Sequence, residues 1–487
     1  MNYTNPVLPC DFSDPDVIRV GDDFYMVASS FNFVPGVPVL HSKNLVEWEL
    51  INYVLDELPA PCVYGGGAWA PSLRYYGGKF YCLIPFPDDG VYVAETEDIY
   101  GRWEIRPLIE RAGVIDPCPI WADGKCYIVC AFARSRTGLN SVLALFEADE
   151  KLTWVNYDYR IIFDGQNIAP TIEGPKIYRI GEYYHILAPA GGVKSGWQMD
   201  LRSKNIYGGY EAKIVLMQGD TDVNGPHQGA LIDLDNGSKA FMHFQDMGAY
   251  GRVVHLQPAQ IIDDWIICGA QPYAGAPGLP VSGGEYPVAV KTDLRINPSD
   301  DFKGERLSLN WQTPTNVPYE FYRLKDGLRL KCLKGGKSLG GLDTMLSQKV
   351  YGLDFTVNVK CKLNFSEEGD EAGFCVFGRQ YYYVCAVRRD GRNYLELRKG
   401  ALGGEADETL ARSQPYDEDY IKFKMTASYE DKNRLAFKFA AGGVSFAHKF
   451  YAFPGIWTGA RLALYARSQT ENSKGFGTFK YFKVSIK

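Results

Sequence analysis

Short apolar runs of strand length alternate with glycine turns along almost the whole chain, and no stretch carries a convincing helical period. Over about the first 270 residues one unit recurs five times at a period of roughly 50. In each unit a strand-like run leads into a glycine turn and then an aromatic-rich strand. The turns are Gly21-Asp22-Asp23-Phe24-Tyr25, Gly77-Gly78-Lys79-Phe80-Tyr81, Asp123-Gly124-Lys125-Cys126-Tyr127, Gly181-Glu182-Tyr183-Tyr184 and Asn236-Gly237-Ser238-Lys239-Ala240-Phe241. Asp-Gly and Asn-Gly tolerate the positive φ that a two-residue hairpin demands. Each unit closes on an outer strand with an aromatic, namely Trp48, Trp103, Trp154, Tyr210 and Trp265, which are expected to pack between neighbouring units.

Repeats of this length and content predict the blades of a propeller. The inner strands would start near Asp14, Ala70, Asp116, Glu173 and His227, at the rim of a central channel. Three of those five starts carry a carboxylate, each with a proline close behind: Asp14 before Pro15, Asp116 before Pro117, and Glu173 two residues before Pro175. The Gly/Pro-rich stretch from Gly269 to Pro287 reads as an extended linker or lid. After about residue 300 short alternating strands take over, such as Leu328-Arg329-Leu330-Lys331-Cys332, Phe355-Thr356-Val357-Asn358-Val359 and Arg461-Leu462-Ala463-Leu464-Tyr465, the pattern of an antiparallel sandwich. The expected architecture is all-β: a five-bladed β-propeller over residues 1–295 and a β-sandwich over 296–487.

Composition narrows the partners. Aromatics reach 14% and the net charge is −6, with no basic stripe, which argues against a nucleic-acid backbone and suits a neutral ligand such as a sugar. The 11 cysteines form no CxxC pair and several lie in apolar runs, so they read as reduced buried thiols rather than disulfides or a zinc site. Met1 to Pro6 lack a basic segment followed by an apolar one, and no apolar run reaches membrane-spanning length. The expectation is a soluble cytoplasmic protein, periplasmic if a signal was removed, with no membrane partner and with homo-oligomerisation left open.

In this order and spacing the motifs resemble the family-43 glycoside hydrolases. They are Ser13-Asp14-Pro15-Asp16, Ser42-Lys43-Asn44-Leu45-Val46-Glu47-Trp48, Trp69-Ala70-Pro71-Ser72, Ile115-Asp116-Pro117, Ile172-Glu173-Gly174-Pro175-Lys176, Asn224-Gly225-Pro226-His227-Gln228-Gly229 and Gly251-Arg252-Val253-Val254-His255. The resemblance implies a five-bladed propeller that cleaves xylose- or arabinose-containing glycans with inversion. The C-terminal part resembles the concanavalin-like jelly-roll sandwich appended to many β-xylosidases and α-L-arabinofuranosidases. In relatives that sandwich closes one end of the cleft, which implies exo action on an oligosaccharide. Two departures bear on substrate preference: Asp16 and Cys118 stand where members often carry serine.

Inverting hydrolysis needs a carboxylate base and a carboxylic acid about 6.5–9.5 Å apart, with a water between. The resemblance assigns Asp14 as base, Glu173 as acid, and Asp116 as a third carboxylate that raises the pKa of Glu173 and orients it. No cofactor is required. His227 is either a satisfied core histidine or, as the family position implies, a contact for a metal ion or waters on the axis, with Ca²⁺ the expected ion. Arg252 is either a salt-bridge partner or a hydrogen-bond donor to sugar hydroxyls. Phe31 and Trp69 are candidate stacking platforms, or blade packing. His243 and His255 are expected to be structural.

Three other readings remain. A retaining fructosidase would need Asn-Asp-Pro, Arg-Asp-Pro and Glu-Cys boxes, whereas Asp14 follows Ser13, Asp116 follows Ile115 and Glu173 precedes Gly174. An endo-arabinanase usually lacks the sandwich. A non-catalytic glycan-binding propeller would be signalled by loss of a carboxylate, and all three are present.

Overall fold

The computed structural model describes residues 1–487 apart from 61, 236, 337 and 404–407. Two compact units separate between Ile296 and Asn297, one residue from the expected boundary, and the second unit also takes Pro9–Asp11 and Met247–Gly251.

The first unit holds five four-stranded antiparallel sheets, each with its strands in chain order. These are the five blades. Their inner strands are Asp16–Val20, Ser72–Tyr76, Val114–Ala122, Lys176–Ile180 and His227–Asp233. The second strands of blades two, three and four, Lys79–Phe86, Lys125–Phe132 and Tyr183–Ala190, are buried after their first residue. Both faces of each are covered, so their sequences read as continuous apolar runs rather than alternations. Apolar clusters fill the spaces between successive blades, such as Val27, Val39, Leu73, Cys82 and Ile84 between blades one and two. The hairpin turns lie where the glycines put them; at Asp123 and Gly124 both φ are positive, 51° and 73°. The fifth turn begins at Asn236, which lies outside the described residues.

Two expectations need correction. The outer-strand aromatics are not equivalent: Trp48 and Trp103 are buried, Tyr210 and Trp265 are half-buried, and Trp154 is 61% exposed. Its backbone N–H donates to Asp149 Oδ1 at 2.6 Å, which pins that turn at the surface. The Gly269–Pro287 stretch is neither a linker nor a lid. Gly278 exchanges backbone hydrogen bonds with Val215 and Met217, Ala270 pairs with Leu279, and Gly283–Glu285 forms a two-stranded sheet with Asn2–Thr4. It is a strap fixed along blades four and five, because its N–H groups have found partners.

The second unit is a sandwich of an eight-stranded and a six-stranded antiparallel sheet. Phe355–Asn364 alternates buried and half-buried residues along its full length, as the sequence pattern requires for a sheet with one face in the core. A buried ionic network lies in the six-stranded sheet, where Arg467 bonds Glu408 at 2.6 Å and Glu371 at 3.1 Å. Among the described residues helix is confined to Arg134–Thr137 and two short 3-10 turns, and no helix is long and apolar enough to cross a membrane.

Trp48 is 2% exposed and its indole N–H donates to Leu45 O at 2.9 Å. Trp48→Ala is therefore expected to lower unfolding stability by about 3–5 kcal/mol. Trp154→Ala should change it by less than about 0.5 kcal/mol. Denaturant midpoints of the two variants check this; equal losses would overturn the unequal packing.

Candidate active site

A proline stands directly before four of the inner strands, at Pro15, Pro71, Pro175 and Pro226, and Pro117 lies at a bulge near the start of the third. The preceding residue has positive φ in four of the five, at Asp14 (55°), Asp116 (53°), Gly174 (57°) and Gly225 (47°). A proline ring crowds its predecessor out of the right-handed helical region. Aspartate tolerates the left-handed one better than most residues. The same local rule thus places two carboxylates at the channel rim and a glycine beside the third.

Asp14, only 6% exposed, is the most tightly held of the three. Its Oδ2 accepts from Ser13 Oγ at 2.7 Å and Ser29 Oγ at 2.5 Å. Arg252 Nη1 lies 3.2 Å from its Oδ1 and also donates to Ser13 Oγ at 2.7 Å. Arg252 thus forms a salt bridge here, and its guanidinium also covers the Phe244 ring at 4.8 Å. The two serines were missed in the sequence; Ser13 adjoins Asp14, but Ser29 arrives only through strand pairing.

Asp116 is buried and its Oδ2 accepts the Gly174 N–H at 2.8 Å. Gly174 is left-handed, and a Cβ there would meet the Gln228 side chain at 2.7 Å. Burial holds the Asp116 carboxyl well above the usual range, the Gly174 N–H opposes this, and the Asp14 charge adds to it. Glu173 is also raised, first by lost hydration and second by the charge of Asp116, with Arg252 opposing. Its side chain is 38% exposed and makes no hydrogen bond among the described residues. Hydration loss is thus partial in the open site, and a seated ligand would complete it.

His227 is 1% exposed, and among the described residues neither ring nitrogen has a hydrogen-bond partner. Burial, helped by the charges of Arg252 and His243, pushes its pKa down to about 3, so the ring is neutral. Nε2 lies 3.6 Å from Glu173 Oε1, too far for a hydrogen bond. Ca²⁺ takes about six to eight oxygen ligands. Among the described residues no group of three or more His, Cys, Asp or Glu gathers to hold an ion. One imidazole beside one carboxylate does not fit a Ca²⁺ cage, and no step is assigned to an ion. His243 and His255 stack at 5.4 Å and bond Gln257 and Gln245, which is a structural role.

Phe31 and Trp69 meet edge to face at 6.4 Å. Phe31 is buried, while Trp69 is half-buried, anchored by its N–H on Gly65 O at 2.9 Å with Arg136 over its ring. A cavity of about 630 Å³ lies elsewhere, between blade five and the strap, lined by Gln257, Gln271 and Tyr286. None of the candidate residues reaches it.

Comparison with known proteins places these residues in a lineage. The sequence model "Glycosyl hydrolases family 43" matches residues 3–266, and "Beta xylosidase C-terminal Concanavalin A-like domain" matches 299–485. A protein of Xylanibacter ruminicola, provisionally named a β-xylosidase, is 35% identical over 94% of this chain and 85% of its own. A β-xylosidase of Formosa agariphila is 28% identical over 97% of this chain and 88% of its own. The non-reducing end α-L-arabinofuranosidase BoGH43B of Bacteroides ovatus is 27% identical over 85% and 81%. The solved structure of Bacteroides ovatus Xyloglucan PUL GH43B superposes with a TM-score of 0.87 at 25% identity, covering 100% of both chains.

The raised carboxyls have a stability consequence with a definite sign. The native state keeps protons on Asp116 and Glu173 that the unfolded chain releases near pH ~4. Stability from these groups is therefore full below that pH and falls as pH rises through their raised native values. Asp116→Asn keeps an acceptor for Gly174 and removes the charge. It should stabilise the fold by about 1–3 kcal/mol at pH 8 and by nothing at pH 4. Thermal unfolding at the two pH values checks this.

Proposed function

The chain belongs to family 43 of the glycosyl hydrolases, and from that premise we propose the reaction its residues perform: exo-acting, inverting release of a terminal pentose, β-D-xylose or α-L-arabinofuranose, from plant-cell-wall oligosaccharides. The observation that carries the division of labour is the unequal setting of the three carboxyls. Asp14 is fixed by two hydroxyls and a guanidinium. Asp116 is buried on a backbone N–H. Glu173 is raised, half-open and, among the described residues, free of hydrogen bonds.

A general base has to be aimed, and the two serine hydroxyls and Arg252 aim Asp14. Asp14 takes a proton from a water that attacks the anomeric carbon. A general acid has to keep its proton near neutral pH and deliver it outward. Glu173 gives that proton to the departing oxygen as the glycosidic C–O bond breaks and its electron pair moves onto that oxygen. The sugar leaves with inverted configuration. Asp116 keeps Glu173 protonated through its charge and holds the Gly174 backbone next to it. Phe31 and Trp69 are proposed as the apolar wall of the sugar subsite, with Arg252 at its polar rim. The xylosidase and arabinofuranosidase names of the relatives support the two pentoses named.

Turnover of aryl β-D-xylopyranoside and aryl α-L-arabinofuranoside, with product anomers followed by NMR, tests the reading. Wild type should release the sugar with inversion. Glu173→Ala should lose turnover of a poor leaving group. Retention, or a Glu173→Ala variant as active as wild type on oligosaccharides, would contradict the assignment. Both proton transfers use protein carboxyls, so we propose that no cofactor is required. Dialysis against EDTA should leave kcat/KM unchanged; a loss restored by Ca²⁺ would oppose that.

A further inference from the structure

The residue after each of the five prolines is Asp16, Ser72, Cys118, Lys176 or His227, and all five are buried. They form a second tier, one step along the inner strands from the rim that carries Asp14 and Asp116. Four of them are joined across blades. Lys176 Nζ donates to Ser72 Oγ at 2.6 Å and to Pro71 O at 2.9 Å, and lies 3.6 Å from Asp16 Oδ2. Asp16 Oδ2 also accepts from Leu73 N and Arg74 Nη1, both at 2.8 Å. Arg74 Nη2 reaches Cys118 Sγ at 2.8 Å, and Cys118 accepts the Ile177 N–H at 3.4 Å. Asp16 Oδ1 has no hydrogen-bond partner among the described residues.

The charge count of this tier is unusual for a buried set. Lys176 and Arg74 are cations, and Asp16 is the one carboxylate between them. Burying a lysine without a full counter-charge costs several kcal/mol in general, so a neutral strut would have served packing better. We propose that Lys176 is a positioning residue of the hydrolytic site: it ties blade four to blades one and two below the catalytic carboxyls and leaves there, with Arg74, one surplus positive charge that favours ionisation of Asp116 ahead of Glu173. The proposal rests on the acid, base and modulator roles assigned above.

The groups around Lys176 and Asp116 come from all five blades. Asp14 of blade one, Cys130 of blade three, Glu173 of blade four and Arg252 of blade five act on Asp116; Asp16 of blade one and Ser72 and Cys82 of blade two neighbour Lys176; and Arg74, Cys118 and Tyr178 border Asp16. Lys176 and Arg252 are the two cations that draw the Asp116 carboxyl back down against its burial.

The test is a pair of charge changes with opposite predicted signs. Lys176→Met removes the positive charge with little change of shape, and Asp16→Asn removes the negative one while keeping an acceptor for Arg74 and Leu73. The acidic limb of kcat/KM against pH should move up by about half a unit to one unit in Lys176→Met and down by a similar amount in Asp16→Asn. In Lys176→Met kcat should fall about tenfold with KM within about twofold of wild type. Limbs that stay in place, or move in the same direction in both variants, would reduce Lys176 to a structural strut and overturn the proposal. If Lys176→Met does not fold by circular dichroism, the sign in Asp16→Asn decides alone. A wild type that hydrolyses no pentoside would instead end the hydrolytic reading. The ¹³C-carboxyl titration of Asp116, identified by its loss in Asp116→Asn, would then still be read in wild type and Asp16→Asn. It should fall in the variant, and an unmoved carboxyl overturns the charge effect.

Discussion

The site depends on one backbone constraint, a proline at the mouth of each inner strand. The ring restricts its predecessor, and at Asp14 and Asp116 the chain answers with a left-handed residue that bears a side chain. Such a residue costs about 1–3 kcal/mol and survives only where its surroundings hold it. Here the surroundings are specific. Two serine hydroxyls and Arg252 hold Asp14, and the Gly174 N–H holds Asp116. Local strain, carboxylate placement and hydrogen bonding are one arrangement, repeated around a ring of blades.

Electrostatics sets the cost of that arrangement. Three carboxyls share one small region, and hydration loss is the first cause of the raised pKa at both Asp116 and Glu173. A chain selected for stability alone would not bury them. Arg252 pairs directly with the rim carboxyl of Asp14, and at Glu173 it only opposes the rise through its charge. The ring of His227, 3.6 Å from Glu173, is neutral, and a neutral ring leaves the Glu173 proton in place. The sandwich contrasts with this, because Glu371, Glu408, Arg398 and Arg467 there compensate one another directly.

Much of this was legible in the sequence, for a physical reason. Turn chemistry and strand burial act over a few residues, so Asp123-Gly124 and the alternating Phe355–Asn364 announce themselves. The three carboxylates were visible because proline marks their register. What failed depended on neighbours distant in sequence. Trp154 matches Trp48 by position, yet its turn is held outward by Asp149. The Gly269–Pro287 strap looked unpaired until Val215, Met217 and the first strand supplied its partners. Ser29 meets Asp14 only because the second strand of blade one folds back beside the first. Asp16 and Cys118 were noticed as departures one by one, but that Arg74 joins them is a fact of three blades.

The same register sets the carboxyl proposed as the acid apart from the other two. Asp14 and Asp116 occupy the position directly before proline, and Glu173 sits one residue earlier. In a strand one residue of offset turns a side chain to a different direction. Blade four places glycine at the left-handed position, so the carboxylate-bearing residue is displaced from the strained site. Its longer side chain gains freedom that the two aspartates lack. The exposures follow, at 38% for the Glu173 side chain against 8% for that of Asp14, while Asp116 is buried. A residue that must fix a water needs to be clamped, and a residue that must hand a proton to a leaving oxygen needs to reach it. A shift of one position in a repeated Xaa-Pro box gives the ring both kinds.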